Sequence, residues 1–167
     1  GMWRLARRDA LVERLSAVET LGATNVICTD KTGTLTENRM KVGRLVLADG
    51  EASMGEAGLE RDGAALTPGQ APALATLLET AALCNDARLE GGDGPSGDPT
   101  EIALLEAAHA LGIERDDLLK EQPEIAREAF DPATKMMATL HREADRVLVA
   151  VKGAPEAVLD AATQVLE

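Results

Sequence analysis

Hydrophobic positions change period twice along this 167-residue chain. Leu5, Leu11, Val12, Leu15 and Val18 recur at helical spacing, which predicts an amphipathic helix over 4–18. Asn25–Asp30 runs apolar through Val26, Ile27 and Cys28 and predicts a short buried strand, with Lys31–Thr32–Gly33–Thr34 as the turn behind it. Arg39 to Leu47 alternates and stops at Asp49–Gly50, the pattern of a hairpin. A helix over Pro72–Leu83 puts Leu74, Leu77, Leu78 and Ala81 on one face. The run GGDGPSGD (91–98) reads as loop, followed by helices over Pro99–Leu111 and Glu114–Glu121. In the last third the period becomes two. Ile125–Phe130, Lys135–Arg142 and Arg146–Val151 are predicted strands joined by short turns, and Pro155–Leu166 a closing helix. Val147–Val151 is apolar throughout, which predicts an interior strand covered on both faces. The fold class expected is α+β (α/β): an antiparallel sheet flanked by helices, preceded by a helix–strand arm.

Composition narrows the functional classes. Net charge is −12, which argues against nucleic acid as a partner. No apolar run approaches the ~20 residues of a membrane span, so this stretch of chain is expected to be soluble. Cys28 and Cys84 form no C-x-x-C pair, and both sit in apolar segments, which predicts buried, reduced thiols. Only five of the seventeen basic residues are lysine, and three of these (Lys31, Lys135, Lys152) lie in motif-like segments. The aromatics are Trp3 and Phe130 alone. A ligand ring stacked within the main domain therefore has one candidate partner, Phe130.

The stretch CTDKTGTLTEN (28–38) places a carboxylate at a predicted strand end, where open α/β sheets put their ligands. Such an aspartate, followed by a glycine turn, can attack a phosphoryl group and become an aspartyl phosphate. Backbone N–H groups of the turn and the side chains of Lys31 and Thr34 are the available donors to its oxygens. Simple phosphatases of this architecture carry a second aspartate two residues on, as acid and base. Here that position is Thr32, which cannot act as a carboxylate base, so a phosphoenzyme would persist.

DKTGTLT resembles the phosphorylation motif of P-type ATPases, ion pumps that pass through an aspartyl phosphate. The lead-in SAVETLGATNVICTDKTGTLTENRM (16–40) is similar to that family's run from the fourth membrane helix into its phosphorylation domain. The resemblance implies that Asp30 is phosphorylated from ATP, with Lys31 and Thr32 holding phosphate and Mg²⁺. Asp30 and Thr32 would then be an incomplete Mg²⁺ site.

Three further stretches have plain structural explanations and match the family as well. In GDPTEIALLEAA (97–108), Asp98 suits an N-cap, Pro99 the first helical position, and Glu101 the far end of a capping box. By resemblance, Glu101 lies near the adenine amino group. In FDPATK (130–135) a lone phenylalanine is ordinarily core. By resemblance Phe130 stacks on adenine and Lys135 lies near the nucleotide. In KGAPE (152–156) a glycine that lets the backbone turn is sufficient reason. By resemblance Lys152 lines the mouth of the adenine pocket and Gly153 permits close approach. CNDA (84–87) also matches, and reads as structural. These segments occur in the family's order.

The resemblance implies two regions, an arm over 1–40 that starts a haloacid-dehalogenase-like phosphorylation domain, and a nucleotide-binding domain over 41–167. The partners it implies are ATP and the remaining phosphorylation, actuator and transmembrane domains of a parent pump. The parent would be an integral membrane protein, in the bacterial plasma membrane, with this stretch facing the cytoplasm. FDPATKMMATLHR and KGAPE look like the bacterial relatives of calcium-type pumps. The His–Pro pair of heavy-metal pumps is missing, since Ala110 follows His109 and Arg142 follows His141. TGE, T-G-D and G-D-G-x-N-D motifs do not occur, so the isolated chain is expected to bind ATP weakly without turnover. The exposed arm could also mediate self-association. Two other readings stay open: a soluble phosphohydrolase of the haloacid-dehalogenase kind, and a nucleotide-binding module without chemistry.

Overall fold

A computed structural model of the protein describes residues 2–9, 14–56, 58–90 and 94–164. It divides into two compact units, Gly1–Asn38 and Arg39–Glu167. Among the described residues no helix is long and apolar enough to cross a membrane.

The first unit corrects three expectations. In place of one helix over 4–18 there are two, α1 (Met2–Ala6) and α2 (Leu15–Ala23). The first closes on tight bonds from Arg8 N to Leu5 O and Asp9 N to Ala6 O, with Asp9 left-handed at φ 58°. That geometry ends a helix. Leu11 and Val12 lie outside the described residues. The strand expected at Asn25–Asp30 is not formed: the segment is irregular, with Val26 72% and Ile27 81% exposed. An apolar run becomes a strand only when a neighbour accepts its ladder, and no described residue pairs with it. Cys28 is consequently exposed, against the expectation of burial, whereas Cys84 is buried.

The second unit holds two antiparallel sheets flanked by helices, an α+β fold. The first sheet runs in the order β1 (Arg44–Leu47), β2 (Gly50–Gly55), β3 (Gly58–Arg61), β4 (Ala64–Ala65). The expected hairpin is its start, with Leu47 paired to Gly50. Helices α3 (Pro72–Leu83), α4 (Pro99–Ala110) and α5 (Arg115–Glu121) follow. The second sheet is β5 (Glu124–Asp131), β6 (Met136–Glu143) and β7 (Arg146–Gly153), in that order, and α6 (Pro155–Ala161) follows it. Helix α6 is shorter than predicted, since 162–164 are not helical.

Helix α3 joins the two halves of the core. Leu74, Leu78 and Ala82 are fully buried with Ala52 and Leu59 of the first sheet and Leu105 and Ala108 of α4. Its last residue, Leu83, packs with Cys84, Met137 and Ala150 against the second sheet. Full burial of a leucine is worth ~1.5–3 kcal/mol, so this helix anchors both sheets. The buried face is Leu74, Ala75, Leu78, Ala82, and the predicted Leu77 is exposed instead. The prediction for Val147–Val151 is also overturned. Strand β7 is at the edge of its sheet and only Ala150 of the run is buried, while Val147, Val149 and Val151 are exposed. Residues alternate sides along a strand, and only one side of this sheet meets helices.

Candidate functional site

The end of α3 and the residues after it set the site. Asn85 is fully buried and uses both ends of its amide. Its Nδ2 donates to Ala81 O (3.3 Å) and Glu101 O (3.0 Å), and its Oδ1 accepts from Ala87 N (2.8 Å). Gly97 lies against this turn at φ 130°, where an added Cβ would stand 2.7 Å from the Ala87 Cβ. Only glycine permits that approach, and it delivers the start of α4 to the 84–87 turn. Asp98 then caps α4 by accepting from Thr100 N (2.8 Å), which holds its carboxyl below the usual range.

Glu101 does not complete the predicted capping box. Its Oε2 accepts from Asp86 N (3.2 Å), and its Oε1 pairs with the ammonium of Lys152. A helix-start carboxylate is thereby turned toward the second sheet and bridged to β7. The Glu101 side chain is 13% exposed and that of Lys152 24%, so the pair is shielded without being sealed.

The second sheet gathers three other candidates at one end. Asp131 pairs with Met136, and Met136 with Gly153. Phe130, Lys135 and Lys152 are the immediate neighbours of those three residues. Phe130 is 58% exposed, so its ring is free of the core. The turn behind it is closed by Ala133 N donating to Asp131 Oδ1 (2.9 Å) and Lys135 N to Asp131 O (2.7 Å). The first of these bonds lowers the Asp131 carboxyl below its ordinary value. Lys135 is left-handed at φ 55° and its ammonium meets Glu156 at 3.2 Å. An added Cβ on Gly153 would stand 2.5 Å from Lys135 O, so this glycine is required by the sheet itself.

The structure brings Glu101 and Lys152 into contact and sets Phe130, Lys135 and Gly153 at the same end of the sheet. It also supplies residues that the sequence reading passed over. Arg115 donates to Ala82 O (3.0 Å) and Asn85 O (2.6 Å), fixing the turn that follows α3. Arg127 forks onto Glu124 and reaches Asp86. Its hydrogen bonds lower the Glu124 carboxyl, while those to the two acids raise the guanidinium itself. Spacing alone gave no signal for either arginine. Cys84 adds no nucleophile, because burial pushes its thiol up.

The first unit presents Asp30, Lys31, Thr32 and Thr34, all exposed. Asp30 is extended at φ −73°, ψ 148°, and the chain then makes one turn over Lys31–Leu35, closed by Thr36 N to Lys31 O (3.2 Å). Gly33 N donates to Thr36 Oγ1 (3.3 Å), which tightens the loop. Asp30 and Thr32 are hard oxygen donors of the kind Mg²⁺ takes. Among the described residues no three acidic, His or Cys side chains come together as a metal cage. Two exposed oxygen donors suit part of an octahedral Mg²⁺ shell and do not complete one.

A cavity of roughly 790 Å³ lies elsewhere, between α4, α5 and the 87–90 segment. Glu90, Glu114, Asp116 and Asp117 line it together with Arg88 and Arg115, and none of the residues singled out in the sequence does.

Comparison with known proteins follows the same lines. Residues 73–167 match the profile of the family described as P-type ATPase, cytoplasmic domain N. The chain is 42% identical over 171 residues to a probable cation-transporting ATPase F of Mycobacterium tuberculosis, covering 96% of the chain and 19% of that protein. It is 35% identical to calcium-transporting ATPase 1 of Lactococcus lactis (99% of the chain, 18% of the relative). It is also 35% identical to the sodium/potassium-transporting ATPase subunit alpha of Drosophila melanogaster (94% and 16%). The chain thus spans about a fifth of the length of these relatives.

Proposed function

Because the chain belongs to the P-type cation ATPases, with residues 73–167 as their cytoplasmic N domain, we propose that it holds ATP for phosphoryl transfer to Asp30 in a membrane cation pump. The arm over 1–40 is the start of the phosphorylation domain and 41–167 the nucleotide-binding domain. Phe130 stacks on the adenine ring, and Glu101 accepts from its amino group. Lys152 and Lys135 bring positive charge to a chain of net charge −12, which an anionic ligand requires at close range. Gly153 keeps the backbone at the mouth of the site free of a side chain.

In the transfer, a carboxylate oxygen of Asp30 forms a bond to the γ-phosphorus as the bond to the β–γ bridging oxygen breaks, and ADP departs with that oxygen. Lys31, Thr34 and turn N–H groups stabilise the negative oxygens. Asp30 and Thr32 would hold Mg²⁺, which when bound neutralises charge on the phosphates. Thr32 supplies no carboxylate to activate water, so the acyl phosphate lasts long enough for a pump to use it. The parent is a bacterial plasma-membrane pump of the calcium-type subgroup, with this stretch on the cytoplasmic side.

One observation carries this reading. Glu101 stands outside its helix cap, bridged to Lys152, at the end of the sheet where Phe130 is exposed. A helix start that served only as a cap would not need that arrangement. The test is an ATP titration of the wild type, Phe130→Ala and Asp30→Ala, followed by NMR shifts, together with an assay for released phosphate. Loss of the stacking contact should weaken binding by ~1–3 kcal/mol in Phe130→Ala. Asp30→Ala should bind as the wild type does, and no chain should turn over ATP. Turnover that disappears with Asp30 would instead identify a phosphohydrolase.

A further inference from the structure

We propose that Arg127 and Asp86 form a clasp that positions the two sides of the nucleobase site, Phe130 on one and Glu101 on the other. The inference rests on the nucleotide reading above and names two positioning residues for it.

Arg127 donates from Nε (2.7 Å) and Nη2 (2.9 Å) to the two oxygens of Glu124. This fork fixes the plane of the guanidinium, and its remaining arm, Nη1, bonds Asp86 Oδ1. Arg127 occupies the one evenly registered stretch of β5, where Ala126, Arg127 and Glu128 oppose Leu140, Thr139 and Ala138. The register shifts on both sides of it, between Glu124 and Ala126 and between Glu128 and Asp131. Phe130 lies inside the second irregularity. An edge strand interrupted there is free to bend, because a bulge breaks the ladder that would hold it. The clasp is the tether just upstream, three residues or roughly 10 Å of strand from the ring.

Asp86 connects this tether to the opposite side. Its side chain takes Arg127, while its backbone N–H donates to Glu101 Oε2 at 3.2 Å. One residue thus fixes both the carboxylate that faces the base and the strand that carries the ring. The side chains of Arg127 and Asp86 are 42% and 51% exposed. Exposed pairs contribute little to stability. A bidentate arginine aimed at a second acid by geometry instead controls distance, and the 84–87 turn is held rigid beneath it by Asn85 and Arg115.

The test uses the whole chain with ATP and with inosine triphosphate, which lacks the amino group assigned to Glu101. Calorimetry gives the affinity ratio of the two, and thermal melting monitors the fold. The wild type should prefer ATP. Arg127→Ala and Asp86→Ala should each weaken ATP binding by roughly 2- to 5-fold and inosine triphosphate, which stacks on Phe130 but lacks the amino group, by less, so that the preference for ATP falls. The double variant should lose no more than either single one, because the two act as a unit. Arg127→Lys keeps the charge and the packing but loses the fork, and should show the same loss of preference. An unchanged ratio in both Arg127 variants, with only the melting temperature lowered, makes the clasp a purely structural link and overturns the proposal. If Phe130→Ala binds ATP like the wild type, or the wild type shows no preference between the nucleotides, the site reading itself fails and the clasp with it.

Discussion

Lys135, with Asp62 and Ala144, is one of the described non-glycine residues of the second unit that adopt a left-handed backbone. A long side chain at φ 55° sits in a region that glycine or asparagine fills more cheaply, at a cost of ~1 kcal/mol or more. The turn Asp131–Lys135 would accept glycine there without loss of its two closing bonds. A lysine in that conformation motivates a test of whether its side chain has a task. The Lys135→Gly variant should melt at the same or a higher temperature, with a gain of up to about 1 kcal/mol, yet bind ATP more weakly than the wild type. Calorimetry and thermal denaturation on one preparation check both halves. A variant that gains stability with full affinity would remove Lys135 from the site. The neighbouring Gly153 shows a motif glycine with a structural reason: the Lys135 carbonyl occupies the space of its missing Cβ.

At the level of elements, the start of α4 does two tasks with adjacent residues. Asp98 satisfies the helix and so releases Glu101 for Lys152. Both Asp98 and Glu124 titrate below their ordinary values of 3.8 and 4.5, the first through Thr100 N–H and the second through Arg127. A carboxylate with a depressed folded pKa stabilises the fold above its unfolded pKa. That contribution is lost as pH falls through the folded value. The melting temperature should therefore be flat above about pH 5 and fall below about pH 4.5. Asp98→Asn keeps an acceptor at the cap, so it should match the wild type near neutral pH and lose less on acidification. Asp98→Ala should cost about 1 kcal/mol at pH 7. Circular dichroism melts across pH 3 to 7 measure both.

For the whole molecule, two of the apolar runs left open among the described residues bear on association. Val26 and Ile27 are bare in the first unit, and Val147, Val149 and Val151 are bare along the edge strand β7 in the second. An unpaired edge with exposed valines is a template for another chain. We predict concentration-dependent association of this chain, measured by analytical ultracentrifugation. Val147→Thr with Val149→Thr should shift it toward monomer if β7 is the contact, and Val26→Ser with Ile27→Ser if the arm is. A monomer at every concentration would refute the prediction.

The chain's own order of residues determined the helices at 72–83, 99–110 and 115–121 and the three strands at the end, because periodicity and caps are local properties. It also determined the family, because DKTGTLT, GDPTE and KGAPE are contiguous stretches. Tertiary structure alone decided which side of a strand is covered. It left Val147 to Val151 half bare, withheld a ladder from Asn25–Asp30, and so exposed Cys28. It also turned Glu101 from its cap to Lys152 and bound Arg127 to Asp86, 41 positions apart. Burial and pairing depend on what lies opposite in space, and a local pattern carries no record of its neighbour across the fold.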